Sequence, residues 1–225
     1  MAPSVTVVMV AYQNEERALV RLSRDLLPTL DHYRDTWDID LTVIDNSAEP
    51  LVGLRAAVAD TRSVPASYVW NGGDNLFYGP SITQAAQLSK SSLLVYLCSS
   101  HGTMHDPTWL GDLVQPFQED GARRIAQTGS FSPSGPPSAL GFDDALPWVH
   151  VQGGVFAART EVIVSYPYPD GPLAHYLSDV YQSLRLMAAG FELVDVPTVK
   201  SVWRRAAEPG PWKYVHDEIV SDDAT

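Results

Sequence analysis

Short apolar runs bounded by small polar residues alternate, along this chain, with stretches in which apolar positions recur every three or four residues. Residues 5–11, 39–46 and 93–97 are runs of the first kind. Such runs read as strands buried on both faces, as in parallel sheets. The first run is followed by Asn14, which suits a helix N-cap, with Glu15 and Glu16 at the positive end of the helix dipole. Ala18, Leu19, Leu22 and Leu26 then share one helical face, and Pro28 is expected to limit the helix. Further helices are expected over 51–59, 81–89, 108–117 and 178–190, the third begun by Asp106 with Pro107 at its first position. Residues 68–71 read as a short strand into the Gly72–Gly73 turn, 150–157 as a glycine-containing strand, and 193–199 as a final strand. The stretch 130–147 is rich in Ser, Pro and Gly and reads as a loop, placed as a candidate lid before the 150–157 strand. Strand and helix alternate, so the expected class is α/β: a central, mostly parallel, Rossmann-like sheet flanked by helices. No internal repeat is present.

Composition narrows the function classes. The net charge of -12 disfavours a nucleic-acid partner or an anionic membrane surface, because phosphate contacts need clustered Lys and Arg. The single cysteine rules out an internal disulfide and fits a reducing compartment. The N-terminus carries no basic region followed by an apolar core, and no run approaches membrane-spanning length, so a cytoplasmic protein without a membrane segment is expected. Neither G-x-G-x-x-G nor a P-loop occurs, which argues against dinucleotide and ATP sites of those types.

Five blocks in one order carry a resemblance. They are the strand from Val5 into Tyr12-Gln13-Asn14-Glu15, the strand ending in Asp45-Asn46-Ser47, and the stretch from Asn75 through Gly79 to Leu97 and Cys98. The last two are His150-Val-Gln152-Gly153-Gly154 and Ser178-Asp179 opening a helix that ends at Gly190. Together they resemble the GT-A fold glycosyltransferases, family 2 above all, over roughly residues 5–203. The resemblance implies one GT-A-like domain over 1–225: a nucleotide-sugar-binding half (1–100), an acceptor-side half (101–203) and a C-terminal tail (204–225). In the family the strand that ends here at Cys98 closes on an Asp-x-Asp pair that holds a divalent cation and the donor diphosphate. Here Cys98 and Ser100 stand in those places.

The resemblance implies transfer of a sugar from a nucleotide-diphosphate sugar to an acceptor hydroxyl, with inversion, because a single base suffices. Asp179 is the implied base; capping of its own helix is the competing structural role. Tyr12, Asp45, Asn46, Asn75, Gly79, Ser99 and Ser100 are the donor-side candidates. Asp45-Asn46-Ser47 also makes a good turn, and Gly79 equally serves a turn. Charge for the leaving diphosphate has two sources. Arg204 and Arg205, with Lys200 beside them, offer fixed cations and a fork of donors that suit phosphate, with no metal required. Alternatively His101 and His105 flank the missing pair and offer imidazole to a metal, although Mn or Mg, the family's cations, prefer oxygen. Trp148, His150, Gln152, His175 and Tyr176 are the acceptor-side candidates, as aromatic and polar groups suited to a glycan or small polyol face. Cys98 reads as a small buried thiol, since no base stands beside it in sequence.

The competing reading is a non-catalytic nucleotide-sugar or glycan-binding protein of the same fold, motivated by the lost carboxylates. Nucleotidyl transfer is disfavoured, because it calls for a glycine-rich basic first loop where Tyr12-Gln13-Asn14-Glu15-Glu16 is acidic. The short C-terminal region leaves room for a partner subunit in a homo-oligomer.

Overall fold

The computed structural model describes residues 2–99, 104, 106–131, 150–171, 174 and 178–199. Seven strands form one sheet: β1 (Ser4–Ala11), β2 (Asp38–Asp45), β3 (Ala66–Trp70), β4 (Leu93–Cys98), β5 (Ile125–Phe131), β6 (Val151–Arg159) and β7 (Glu192–Asp195), in the order β3-β2-β1-β4-β6-β5-β7. All neighbouring pairs are parallel except those of β6, which runs antiparallel to β4 and β5. The sheet is the expected mostly parallel α/β sheet, and its one reversed strand matters for the site. β6 pairs with β4 only over Val155 to Arg159, so its first residues overhang the carboxyl end of β4.

β1, β2 and β4 are largely apolar on both faces because helices cover both. α1 (Glu15–Arg21), α2 (Leu27–Tyr33), the turn that joins them, α3 (Val52–Ala59) and α5 (Trp109–Glu119) pack Ala18, Leu22, Leu26, Leu30, Leu54 and Leu113 on Val7, Met9, Val95 and Leu97. α4 (Tyr78–Leu88) and α6 (Thr160–Ser165) cover the other face, where Ile82, Ala85 and Ile163 meet Val8, Leu94, Tyr96 and Phe156. α7 (Ser178–Ala188) packs beside them on β6 and β7. It buries Ser178, Gln182 and Ser183 and leaves Tyr181, Leu184 and Met187 exposed.

Several expectations change. Asn14 caps α1 as foreseen, its Oδ1 accepting from Arg17 N–H. Pro28, however, does not end the helix. Leu22–Leu26 form a π-helical turn in which Leu27 N–H donates to Leu22 O, and Pro28 then falls in the first turn of α2, where its missing N–H costs nothing. Thr29 Oγ1 donates to the Asp25 carbonyl, giving that group a partner. α4 starts three residues earlier than expected, at Tyr78, and Asp106 closes a turn onto Thr108 N–H ahead of α5. β5 and α6 were not anticipated: Ile-Ala-Gln-Thr-Gly-Ser-Phe has no β-branched run, yet Gln127, Thr128 and Ser130 are buried. The Ser/Pro/Gly-rich stretch therefore begins after Phe131, and residues 132–149, with the candidate lid, lie outside the described residues. The final strand stops at Asp195, because Pro197 has no N–H to extend the ladder; Val196 and Val199 are buried beyond it.

Under β1 and β4 an ion pair is sealed off from water. The side chains of Arg21 and Asp25 are 2% and 0% exposed, and Arg24 Nε reaches Asp25 Oδ1 at 3.1 Å. Burial lowers the affinity of Arg21 for its proton, and Asp25 opposes that shift. Removing one partner strands a charge in the interior. Asp25→Ala is expected to destabilise the protein by about 3–5 kcal/mol in denaturant titration, and Arg21→Met with Asp25→Leu to recover much of the loss. A loss below about 1 kcal/mol for Asp25→Ala would show that the pair carries no structural weight.

Candidate functional site

The carboxyl ends of β1, β2 and β3 lie side by side, with Ala11, Asp45 and Trp70 in register. Asp45 is fully buried. Its Oδ1 accepts from Ser47 N–H at 2.9 Å, and its Oδ2 accepts from Leu51 N–H at 2.9 Å and from the Tyr68 hydroxyl. Burial and this bond to the carboxylate push the Tyr68 phenol well above its ordinary pKa. Asp45 thus holds the 46–51 turn, the structural role that its sequence also fits. Asn46 is equally buried: its amide donates to Ser81 Oγ at 2.8 Å and its carbonyl accepts from Asn71, which is paired in turn with Gln84. Both residues build the floor of the edge.

Ser47 ties two exposed aromatics to that floor. Its Oγ accepts from Gln13 N–H at 2.8 Å, next to Tyr12, and its carbonyl accepts from Trp70 Nε1 at 2.9 Å. Tyr12 and Trp70 are 45% and 40% exposed, so both rings are open to a planar ligand. Trp70 was missed in the sequence; its only signal is an aromatic ring ending a strand before two glycines. Asn75 Oδ1 accepts from Phe77 N–H at 2.9 Å and shapes the turn into α4. Gly79 serves packing: a Cβ there would meet Tyr168 Cβ at 2.9 Å, and its N–H donates to Ala174 O at 2.9 Å. That close approach is why glycine stands at this position.

β4 ends at Cys98, partly buried against the Tyr96 face, with Ser99 following half-buried. The Tyr96 phenol is held far above its ordinary pKa, first by burial and then by the sulfur of Cys98, its hydrogen-bond partner. A thiol and a hydroxyl are a poor donor set for Mn or Mg, which take carboxylate and carbonyl oxygens. Among the described residues no cluster of three or more His, Cys, Asp or Glu side chains is placed to hold a metal. The described part of the site does not fit a divalent cation. Ser100, His101, His105, Trp148, His175, Tyr176, Lys200, Arg204 and Arg205 all lie outside the described residues.

The overhang of β6 supplies the other wall. Asp179 sits in the first turn of α7 but not as its cap: its Oδ2 leaves the helix and accepts from Gly153 N–H at 3.0 Å, while Oδ1 takes Val180 N–H at 2.9 Å. His150, buried ahead of β6, brings Nε2 to 3.9 Å from Oδ2. The Asp179 side chain remains 25% exposed, so its carboxylate is oriented by backbone yet open to a ligand. Gln152 points outward from the overhang and is exposed. Tyr78, on the first turn of α4, completes the group: a Cβ on Gly153 would lie 2.7 Å from Tyr78 Oη and 3.2 Å from Asp179 Oδ2. The structure therefore gathers Asp179, His150, Gly153 and Tyr78 at the sheet edge that also carries Tyr12, Cys98 and Ser99. An open depression of about 510 Å³, lined by Ser89, Ser91, Arg159 and Thr160, lies at the opposite edge and contains none of these residues.

No protein-family model matches this chain, and no curated protein does. Solved structures do. The mannosyltransferase PcManGT from Pyrobaculum calidifontis, in complex with GDP-Man and Mn2+, superposes with a TM-score of 0.67 at 14% identity, over 92% of this chain and 59% of that one. Glucosyl-3-phosphoglycerate synthase from Mycobacterium tuberculosis, in complex with Mn2+, UDP and glucosyl-3-phosphoglycerate, gives 0.60 at 16% identity, over 95% of this chain and 75% of that one. Mannosyl-3-phosphoglycerate synthase from Rubrobacter xylanophilus gives 0.56 at 15%, over 86% and 66%. The likeness is one of fold, and the fold is the GT-A arrangement that the five sequence blocks resemble.

The saturation of Asp45 has a measurable consequence. Asp45→Ala leaves the buried Ser47 N–H and the Tyr68 hydroxyl without their acceptor, and Leu51 N–H with only the Tyr68 oxygen, and is expected to cost about 3 kcal/mol in thermal or chemical denaturation. A change below about 0.5 kcal/mol would mean that the 46–51 turn holds without it.

Proposed function

We propose that the protein is a glycosyltransferase that moves a sugar from a nucleotide-diphosphate sugar to an acceptor hydroxyl, in a single inverting displacement. The observation that carries the reading is the Asp179 carboxylate, fixed by Gly153 N–H and still a quarter exposed beside the overhang of β6. The fold shared with enzymes solved with GDP-Man or UDP supports it. In this reading the acceptor hydroxyl attacks the anomeric carbon, Asp179 takes the hydroxyl proton, and the bond to the nucleoside diphosphate breaks with its electron pair on the leaving oxygen. His150, next to Asp179, orients the carboxylate, and Gln152 with Trp148, His175 and Tyr176 receives the acceptor. Tyr12, joined by Trp70, stacks on the donor base, while Asn75, Ser99 and Ser100 line the donor, and Asp45, Asn46 and Gly79 hold the loops that do so.

Charge on the departing diphosphate comes from Arg204 and Arg205 in this proposal, so that transfer proceeds without a metal; the thiol and hydroxyl ending β4 favour that form over a Mn- or Mg-dependent one. The one-domain organisation, with donor half, acceptor half and tail, and a cytoplasmic location belong to the same proposal. Among the described residues no helix is long and apolar enough to cross a membrane. A second reading, a non-catalytic nucleotide-sugar or glycan binder, is favoured by one observation: Cys98 and Ser100 stand in the sequence where the family it resembles has its two carboxylates.

Release of nucleoside diphosphate from GDP-mannose and UDP-glucose, with a mixed acceptor panel and chelator present, separates the two. Wild-type turnover is expected with one donor, and Asp179→Asn should lower it by about a hundredfold or more with nucleotide affinity within about twofold. Undiminished turnover in Asp179→Asn would remove Asp179 as the base. Nucleotide binding with no turnover would favour the second reading.

A further inference from the structure

Phe77 breaks two local rules at once. It holds the N-cap position of α4, where a short polar side chain or glycine is preferred, and its side chain gives no capping bond. Its backbone lies at φ 59° and ψ −173°, a region that glycine reaches freely and that a Cβ makes costly. The turn just before it shows the ordinary solution, with glycines at the positive φ of positions 72 and 73. At position 77 the conformation is held from both sides. Phe77 N–H donates to Asn75 Oδ1 at 2.9 Å, and the Phe77 carbonyl accepts from Ser81 Oγ and, at 3.4 Å, from Asn46 Nδ2. Burial of the ring does not account for the choice, because Phe77 is 44% exposed. A strained backbone that the surroundings fix, carrying an exposed aromatic ring, is the mark of a ligand contact.

The place of the residue says which part of a ligand the ring serves. The Phe77 carbonyl touches Asn46, whose neighbour Ser47 anchors Trp70 and the Tyr12–Gln13 turn. The next residue, Tyr78, brings its phenol to Gly153, whose N–H holds Asp179. Residue 77 thus stands between the aromatic donor-side edge and the carboxylate. A nucleotide-bound sugar undergoing transfer bridges the same two places, with its diphosphate on one side and its anomeric carbon toward the hydroxyl that Asp179 activates. We propose that the Phe77 ring is the platform on which the sugar of the donor rests, and that it selects the sugar part of the nucleotide sugar rather than the nucleotide. A pyranose carries its C–H groups on an apolar face, which an exposed aromatic ring removes from water. The inference rests on the transferase reading and adds to it a residue that touches the transferred group.

The test compares the whole wild-type protein with Phe77→Ala, Phe77→Gly and Phe77→Tyr, by calorimetric titration with GDP, GDP-mannose, UDP and UDP-glucose. Wild type is expected to bind one of the two sugar nucleotides. Phe77→Ala should weaken that affinity by about tenfold and leave the affinity for the matching nucleoside diphosphate within about twofold. Phe77→Tyr keeps a ring and should hold the sugar-nucleotide affinity within about threefold of wild type. Melting without ligand tests the strain. At an ordinary backbone conformation glycine is less stable than alanine, whereas here Phe77→Gly is expected to melt about 2–4 °C above Phe77→Ala. The proposal is overturned if Phe77→Ala binds the sugar nucleotide as wild type does, or loses sugar nucleotide and nucleoside diphosphate equally. It is also overturned if Phe77→Gly melts at or below Phe77→Ala. Failure of the transferase reading looks different: wild type itself then binds none of the four nucleotides, and the platform falls with it.

Discussion

The hydrogen bond from Gly153 N–H to Asp179 Oδ2 ties α7 to the overhang of β6, and it exists because β6 runs against its neighbours. A parallel strand in that place would bring its carboxyl end, and the loop after it, to the active edge. The antiparallel strand brings its amino end instead and carries it past the end of β4. Gly153 therefore has no partner on β4, and its N–H is available to a side chain. Asp179 lies in the first turn of α7, where the helix dipole favours a carboxylate. His150, Gly153 and Tyr78 then surround it from β6 and α4.

Two carboxylates at this edge show how burial divides roles. Asp45 is wholly enclosed and meets two backbone N–H groups and a phenol, which fixes a turn. Asp179 has two backbone donors and keeps a quarter of its side chain in solvent. The first arrangement spends the charge on the fold, while the second leaves part of it open to solvent. The same division separates Asn46, buried in an amide network, from the exposed rings of Tyr12 and Trp70.

The long apolar runs made β1, β2 and β4 legible in the sequence, since a strand covered on both faces has few ways to be anything else. β5 was hidden because its buried positions are filled by Gln127, Thr128 and Ser130, whose burial depends on partners distant in sequence, such as the Leu113 carbonyl that takes the Thr128 hydroxyl. Pro28 misled for a related reason: a π-helical turn four residues earlier re-phased the helix around it, and nothing local announces such a turn. In the site, Asp179 stood out only through the resemblance of the Ser178–Asp179 block, because a helix start by itself fits a cap. The roles of Asp45 and Gly79 were not legible, because a saturated carboxylate and a donor-binding one, or a packing glycine and a ligand-facing one, look alike until Tyr68, Leu51 and Tyr168 are seen beside them. Tyr78 and Trp70 gave no sequence signal beyond being aromatic.

The central claim is that the sheet edge bearing Tyr12, Trp70 and Ser99 holds a nucleoside diphosphate although no carboxylate pair ends β4. Calorimetric titration of the intact protein with GDP and with UDP, in chelator and then in manganese, tests it most directly. Saturable one-to-one binding of one of the two in chelator, with no large gain on adding manganese, is the predicted result. No heat of binding with either nucleotide under both conditions would contradict it.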